Sequence, residues 1–286
     1  MIMNYNKLLP FLFIPLFLQA EELPSNKVTP KFEFSYSTQR SSDRYIQSSL
    51  NVRYLFDSLT DLSLTLYTSR YKNLLTNRGS DISFNFPSFE DQQTSLTMGA
   101  SRADSSFYSS HFGMRHAFYF QSFSEYFGPT ELAFPIDFAQ YKDTNTKLNL
   151  GQNAYGISWN QEVFSRWDYY LAYTKFNVNQ RNLSALQSFY LNSNSLRKEQ
   201  YFHLESLLDH AIDLSIGWQF LETQRLSLSA TSMAPYKGQD LKQTLYSIGL
   251  DSLFSSHWSA SFSLSSLRSN KDSPSNAFGF SLFFTP

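Results

Sequence analysis

The sequence predicts an all-β fold, a closed antiparallel up-and-down transmembrane barrel of about 12 strands with 14 as the alternative, its outer face turned to hydrocarbon. Apolar and polar residues alternate along paired stretches at Leu50–Leu66, Leu96–Phe112, Tyr155–Tyr173, Ile212–Ala230 and Tyr246–Leu264, each pair broken by a short polar turn. A period of two puts successive side chains on opposite faces of a strand, so one face meets something apolar and the other something polar. Aromatic residues make up 17% of the chain, phenylalanine alone counting 28. Beyond Ala20, however, no apolar run approaches the roughly 20 residues that a spanning helix needs.

The first residues predict export. Met1–Lys7 is short and basic, Leu8–Leu18 is apolar, and Leu18-Gln19-Ala20 offers a small residue at a cleavage point. Residues 1–20 read as a secretory signal peptide removed from the mature protein, leaving 21–286 as a single barrel domain.

The strands follow in order. Lys31–Ser37 opens the barrel. In Tyr45–Phe56, Ile46, Leu50, Val52, Tyr54 and Phe56 share one face, and Gln47, Ser49, Asn51 and Arg53 the other; Asp61–Tyr71 adds Leu62, Leu64 and Leu66 to the first. Ser256–Leu267 sets Trp258, Ala260, Phe262 and Leu264 against a row of serines, and Asn276–Phe284 closes with Phe278, Phe280, Leu282 and Phe284 outward. With five hairpins between the opening and closing strands the count is even, as in bacterial single-chain barrels. The five short turns then lie at the periplasmic end with the termini. The connections 38–44, 72–91, 122–146, 177–209, 233–241 and 268–275 lie at the extracellular end. Leu132–Phe138 and Tyr201–Leu208 are apolar enough to raise the count to 14 if both span, although Pro135 cannot donate to a ladder. The switch of apolar parity between Leu150 and Tyr155 reads as a β-bulge near Gly151-Gln152.

A soluble sandwich would also alternate. The tryptophans separate the two cases: Trp159, Trp167, Trp218 and Trp258 all lie within a few residues of tight turns. Indole rings favour a membrane interface, where the ring stays apolar while its N–H reaches water, so these four are candidates for an aromatic girdle.

The leader, the dyad strands and the aromatic final strand together resemble bacterial outer-membrane β-barrel proteins, over essentially the whole mature length. The resemblance implies an outer-membrane location, contact with outer-membrane lipid and lipopolysaccharide, and assembly by the barrel-assembly machinery. Phe280, Leu282 and Phe284 resemble the C-terminal assembly signal of that class, although Thr285 and Pro286 follow the last aromatic residue here.

Function has to be read from the inward face. Ser215, Gly217, Gln219, Ser227, Ser229, Thr231, Ser247 and Gly249 are small and polar, which leaves room for water. A Ser/Gly/Asn-lined lumen predicts a passive channel for small polar solutes. Arg53, Asp61, Arg166, Asp168, Asp213, Arg225 and Asp251 fall near the predicted periplasmic mouth, either as a mixed-sign ring that orients solutes or as pairs that lock neighbouring strands.

Two other readings compete. In the first the barrel is a structural or recognition surface acting through its extracellular loops, with 177–209 the longest of them. In the second it is a lipid hydrolase, for which Ser109, His111, His203 and His257 supply serine and histidine but no complete nucleophile, base and orienting group. His116 is anomalous, since strict alternation with Phe112, Met114, Phe118 and Phe120 aims it at lipid; an imidazole near the interface or a local bulge would account for it. No cysteine exists, no histidine pair has ligand spacing, and no phosphate loop is visible, so no metal and no cofactor is expected. A net charge of −1 argues against nucleic acid as a partner.

Overall fold

The computed structural model describes residues 32–42, 45–56, 59–71, 75–89, 91–103, 107–122, 124, 126–143, 148–178, 208–235, 243–269 and 274–285. The expected signal peptide, His203 and most of the 177–209 connection lie outside them. Fourteen strands form: β1 (Phe32–Ser41), β2 (Tyr45–Leu55), β3 (Asp61–Tyr71), β4 (Leu75–Phe89), β5 (Gln92–Ala103), β6 (Phe107–Phe120), β7 (Phe127–Asp143), β8 (Leu148–Val163), β9 (Trp167–Val178), β10 (Leu208–Leu221), β11 (Gln224–Pro235), β12 (Gln243–Leu253), β13 (Trp258–Ser269) and β14 (Ser275–Phe284). Each pairs antiparallel with its sequence neighbours, and β1 pairs with β14 through Phe34↔Phe284, so the sheet closes without an edge. Both chain ends of the barrel therefore lie at one end, called here the terminal end; the other is the loop end.

The register sets the width. Stepping through paired residues once round the sheet from Tyr36 returns to β1 about 14 residues further on, a shear that for this strand number tilts the strands by roughly 37° and gives a backbone radius of roughly 12 Å. Serine-sized side chains cannot fill such a bore. The apolar parity faces outward: Leu50, Leu64, Ile82, Met98, Leu171, Leu214, Leu228 and Leu264 are each exposed by between 41% and 58%, in a closed sheet whose opposite face carries the ion pairs of Arg53, Arg115 and Arg225. No soluble protein core could leave so many large apolar side chains uncovered, and hydrocarbon is the solvent that suits them.

The strand count is 14 rather than 12, for reasons the segments themselves show. Residues 72–91 and 122–146, expected to be loops, contain β4 and β7. β4 hides its alternation because its outward positions begin with Arg78 and Ser80 before Ile82, Phe84 and Phe86 appear. β7 contains Pro135, which the ladder accommodates: β6 pairs Arg115 with Pro135, while the β7–β8 register runs from Ala133↔Ser158 to Ile136↔Tyr155 with Pro135 opposite Gly156. A Cβ on Gly156 would collide with the proline ring, so glycine there is what admits proline into the strand. The other segment considered as an extra strand, Tyr201–Leu208, lies outside the described residues except Leu208, which opens β10.

Adding β4 reverses one hairpin. Leu96–Phe112 does form β5 and β6, but their connection lies at the loop end, and the terminal end instead carries the β4–β5 and β6–β7 connections. The expected bulge at Gly151-Gln152 is absent: pairing runs unbroken from Ile136↔Tyr155 to Asp143↔Leu148. Register shifts fall instead between Pro87 and Phe89, Phe127 and Thr130, Leu208 and His210, and Gln219 and Leu221, each at a strand end. The β8–β9 turn places Phe164 and Ser165 at φ of 54° and 53°, the pair of positive angles that a tight hairpin turn matched to sheet twist demands.

Candidate functional site: the lumen

At the terminal end the inward positions carry charge. Arg53 on β2 donates to Glu33 on β1 at 3.1 Å and to Asp61 on β3 at 2.7 Å, and Asn85 on β4 donates to the other Asp61 oxygen at 2.9 Å. Asp61 is thereby the most enclosed large side chain among the described residues, at 2% exposure. Arg225 on β11 reaches across β10 to form a two-pronged pair with Asp168 on β9, and its other amine lies 3.6 Å from Asp251 on β12. That reach passes over Gly217, where a Cβ would strike both partners. Arg115 on β6 pairs with Glu131 on β7.

Most of the mouth residues expected from sequence therefore come together, but as two separate groups rather than a ring. Arg53–Asp61 and Asp168–Arg225–Asp251 sit on different arcs of the wall. Arg166 joins neither: it is exposed in the β8–β9 turn, where its backbone N–H donates to Val163 and its carbonyl accepts from Gln219. Asp213 lies further into the barrel and accepts from Thr231 at 2.6 Å. Sequence reasoning missed Glu33, Arg115, Glu131, Asp81 and Asp137. The signal for Asp81 and Asp137 was obscured because both lie on the two strands taken as loops.

Midway along the bore, Asp81 on β4, His111 on β6 and Asp137 on β7 share the inward face. His111 Nε2 lies 3.8 Å from Asp81 Oδ1, and both rest over Gly99 on the intervening strand β5, where a Cβ would collide with each of them. Tyr67 on β3 and Tyr141 on β7 also take inward positions by register. Asp81 Oδ1 and Asp137 Oδ1 are enclosed without a hydrogen-bond donor among the described groups. By register, strand tilt and rise per residue, Asp81, Asp137 and Asp213 stand at about one height. Three carboxylates thus face the middle of the bore from β4, β7 and β10.

The rest of the wall is plain. On β10–β14 the inward residues include Ser215, Ser227, Ser229, Ser247, Ser263 and Ser281. Cross-strand serine pairs elsewhere bond to each other, as in Ser37 with Ser49 at 2.6 Å and Ser63 with Ser83 at 2.7 Å.

On the outer face, the four tryptophans lie outward at the terminal end, exposed by 37% to 43%. Trp167 and Trp218 stack at 5.5 Å with rings 12° from parallel, and Trp258 packs on Phe284 at 4.6 Å. Phe280 packs on Phe262 at 5.1 Å, which knits the last strand to β13. His116 does face outward, with no bulge turning it in. It is hydrogen-bonded on both ring nitrogens, Nδ1 to the Thr94 hydroxyl at 2.9 Å and Nε2 to Gln92 Oε1 at 3.2 Å, so a polar ring aimed at lipid is satisfied by β5. Among the described residues the serine and histidine candidates for hydrolysis do not meet: Ser109 bonds to Ser101 at 2.6 Å, His111 faces Asp81, and His257 bonds to the Thr285 carbonyl at 2.8 Å. Among the described residues no group of three histidine, aspartate or glutamate side chains is placed to hold a metal ion.

A closed antiparallel barrel, apolar outside and polar within, has the architecture of an outer-membrane β-barrel. Solved structures agree with that architecture. The chain superposes on the CymD monoaromatic hydrocarbon channel with a TM-score of 0.53 and 7% identity, over 91% of this chain and 89% of that one. It superposes on the outer membrane protein Omp33 of Acinetobacter baumannii with a TM-score of 0.50 and 6% identity, over 90% and 99%. At these identities the likeness is one of fold. No protein-family model and no curated sequence matches the chain.

Proposed function

We propose that the protein is a passive outer-membrane channel for small polar solutes and that it prefers cations. One observation carries this reading: every inward arginine among the described residues is neutralised by carboxylates, whereas Asp81, Asp137 and Asp213 face mid-lumen with no arginine or lysine in ion-pair contact. Fixed negative charge on the low-dielectric walls of a water-filled bore raises the local concentration of cations and repels anions. The width supports conduction, since a backbone radius of roughly 12 Å leaves water-filled space beside serine-sized side chains. In this reading the terminal end is periplasmic, the four tryptophans and their neighbours form the girdle at that interface, and Phe280, Leu282 and Phe284 are read during assembly.

Planar-bilayer recording tests it. In a potassium chloride gradient the reversal potential is expected on the cation-selective side, and the combined change Asp81→Asn, Asp137→Asn and Asp213→Asn is expected to bring it close to zero with conductance retained. A barrel that inserts without conducting would refute the channel; one whose reversal potential ignores the triple change would refute the filter.

A further inference from the structure

Among the described residues His111 is the one histidine at an inward strand position. His116 faces outward and is bonded through both ring nitrogens, His210 faces outward at the loop end against Asp209, and His257 lies in the β12–β13 turn beside the Thr285 carbonyl. His111 stands instead in the wall that carries two of the mid-lumen carboxylates, on a strand between theirs. It pairs in register with Gly99 on β5, which pairs in turn with Asp81 on β4, while Asp137 on β7 pairs with Gly113, the next inward residue of β6.

The two glycines are what let these side chains come together. A Cβ on Gly99 would collide with the Asp81 carboxylate and with the imidazole, so both lie over β5 and approach each other there. The group nearest to a Cβ built on Gly113 is Asp137 Oδ1, at 3.5 Å, so this carboxylate lies against β6 from the other side. Gly113 is one inward position from His111, roughly 7 Å along the strand. The imidazole is thereby flanked by a carboxylate in each direction round the barrel.

The closer contact has the length of one that responds to a proton. His111 Nε2 lies 3.8 Å from Asp81 Oδ1, too far for a hydrogen bond from a neutral ring and near enough for attraction between an imidazolium and a carboxylate. Imidazole is the side chain whose charge ordinarily changes between about pH 5 and pH 8, whereas carboxyl groups titrate lower and phenols higher. The titratable and charged groups that share this wall with His111 are Asp81 on β4, Asp137 and Tyr141 on β7, Tyr67 on β3, and Arg115 further along β6, which Glu131 neutralises. On β5 the facing residues are Gly99 and Ser101, which carry no charge.

We propose that His111 is a proton-operated control on the cation preference of the bore. With the ring neutral, Asp81, Asp137 and Asp213 act together as three negative charges. A proton taken up on acidification places an imidazolium between Asp81 and Asp137 and cancels one of the three. The bore then concentrates cations less and excludes anions less, and no strand or loop has to move. This inference rests on the cation-selective channel proposed above and adds to it a group whose charge depends on acidity.

The test records the reversal potential of the protein in planar bilayers, in a potassium chloride gradient, at about pH 8 and about pH 5. Reversal potential reports which ion crosses an open pore and not how often the pore opens, so closure elsewhere in the chain leaves it unchanged. The cation-to-anion permeability ratio is expected to fall at least about twofold on acidification, the size that one unit charge produces across a water-filled bore. His111→Gln, which stays neutral, should match the unmodified protein at the alkaline value and keep that ratio at the acidic one. His111→Lys, which carries its charge throughout this range, should show the lower ratio at both. Either His111 variant decides the matter should the other fail to insert. His210→Gln and His257→Gln, away from the bore, should keep the full step. A step that survives in His111→Gln overturns the proposal and assigns the effect to the carboxylates themselves. Cation preference at the alkaline value with no step on acidification also overturns it and leaves the channel standing, whereas absence of current or of cation preference there refutes the channel and this control together.

Discussion

Midway along β11–β14 the inward positions hold Ser227, Ser229, Ser247, Gly249, Ser263, Gly279 and Ser281, whereas on β3–β7 they include Tyr67, Asp81, His111, Arg115, Asp137 and Tyr141. The two walls belong to one sheet with one hydrogen-bonding pattern, so backbone geometry does not distinguish them. Side-chain volume and charge do. The crowded wall needs glycines beneath its large residues, as Gly99 lies beneath Asp81 and His111 and Gly79 beneath Tyr67, while the serine wall leaves its glycines beside single hydroxyls. The comparison teaches that one arc of the barrel leaves the middle of the bore open while the other brings bulk and charge into it.

That division can be broken from either side. The largest effect is expected from filling the open wall: Ser229→Trp with Ser247→Trp projects two indoles into the bore and should cut single-channel conductance by about half or more, because the narrowest section limits ion flow. Tyr67→Ser with Tyr141→Ser should raise conductance instead, and an unchanged current in both variants would show that neither wall borders the narrowest section. Next in size is Gly99→Val. It forces Asp81 and His111 off their shared shelf and should destabilise the barrel by about 1–3 kcal/mol in urea unfolding, whereas Gly249→Ala on the open wall, where the nearest group is the end of Ser227, should cost less.

Arg225→Met sharpens the electrostatic side of the comparison. It strips the shared cation from Asp168 and Asp251, adds net negative charge to the mouth, and should move the reversal potential further toward cations. The accompanying loss of stability should be about 1–2 kcal/mol, since the pair is only partly enclosed. The smallest effect belongs to the outside of the barrel: Trp167→Ala removes a stacked indole and should lower stability by about 1 kcal/mol beyond its buried area, without altering selectivity.

The legibility of these features in the sequence was uneven, for physical reasons. Leu62, Leu64 and Leu66 against Ser63, Thr65 and Ser69 announce β3 because both faces obey the alternation. β4 and β7 were obscured because each begins or ends outside the hydrocarbon: Arg78 and Lys142 occupy outward positions there, so the apolar stripe covers only part of the strand. Pro135 misled because a one-dimensional rule about proline cannot see Gly156 across the ladder. Arg53, Asp61, Asp168, Arg225 and Asp251 were recognisable as mouth charges from their nearness to turns, but Glu33 and Glu131 were not, since their partners sit on other strands.

The sequence by itself determined where most strands run and which side chains share a face, because the hydrophobic period is a property of neighbouring residues, and the tryptophans beside the turns and the apolar leader turned that pattern toward a barrel with its apolar face to lipid. The strand number, the end at which each turn opens, the meeting of Asp81, Asp137 and Asp213 at one level, and the placing of His111 between Asp81 and Asp137 were decided only in three dimensions. They depend on shear and closure, which bring together residues far apart in the chain, and no pattern read along a single strand encodes that offset.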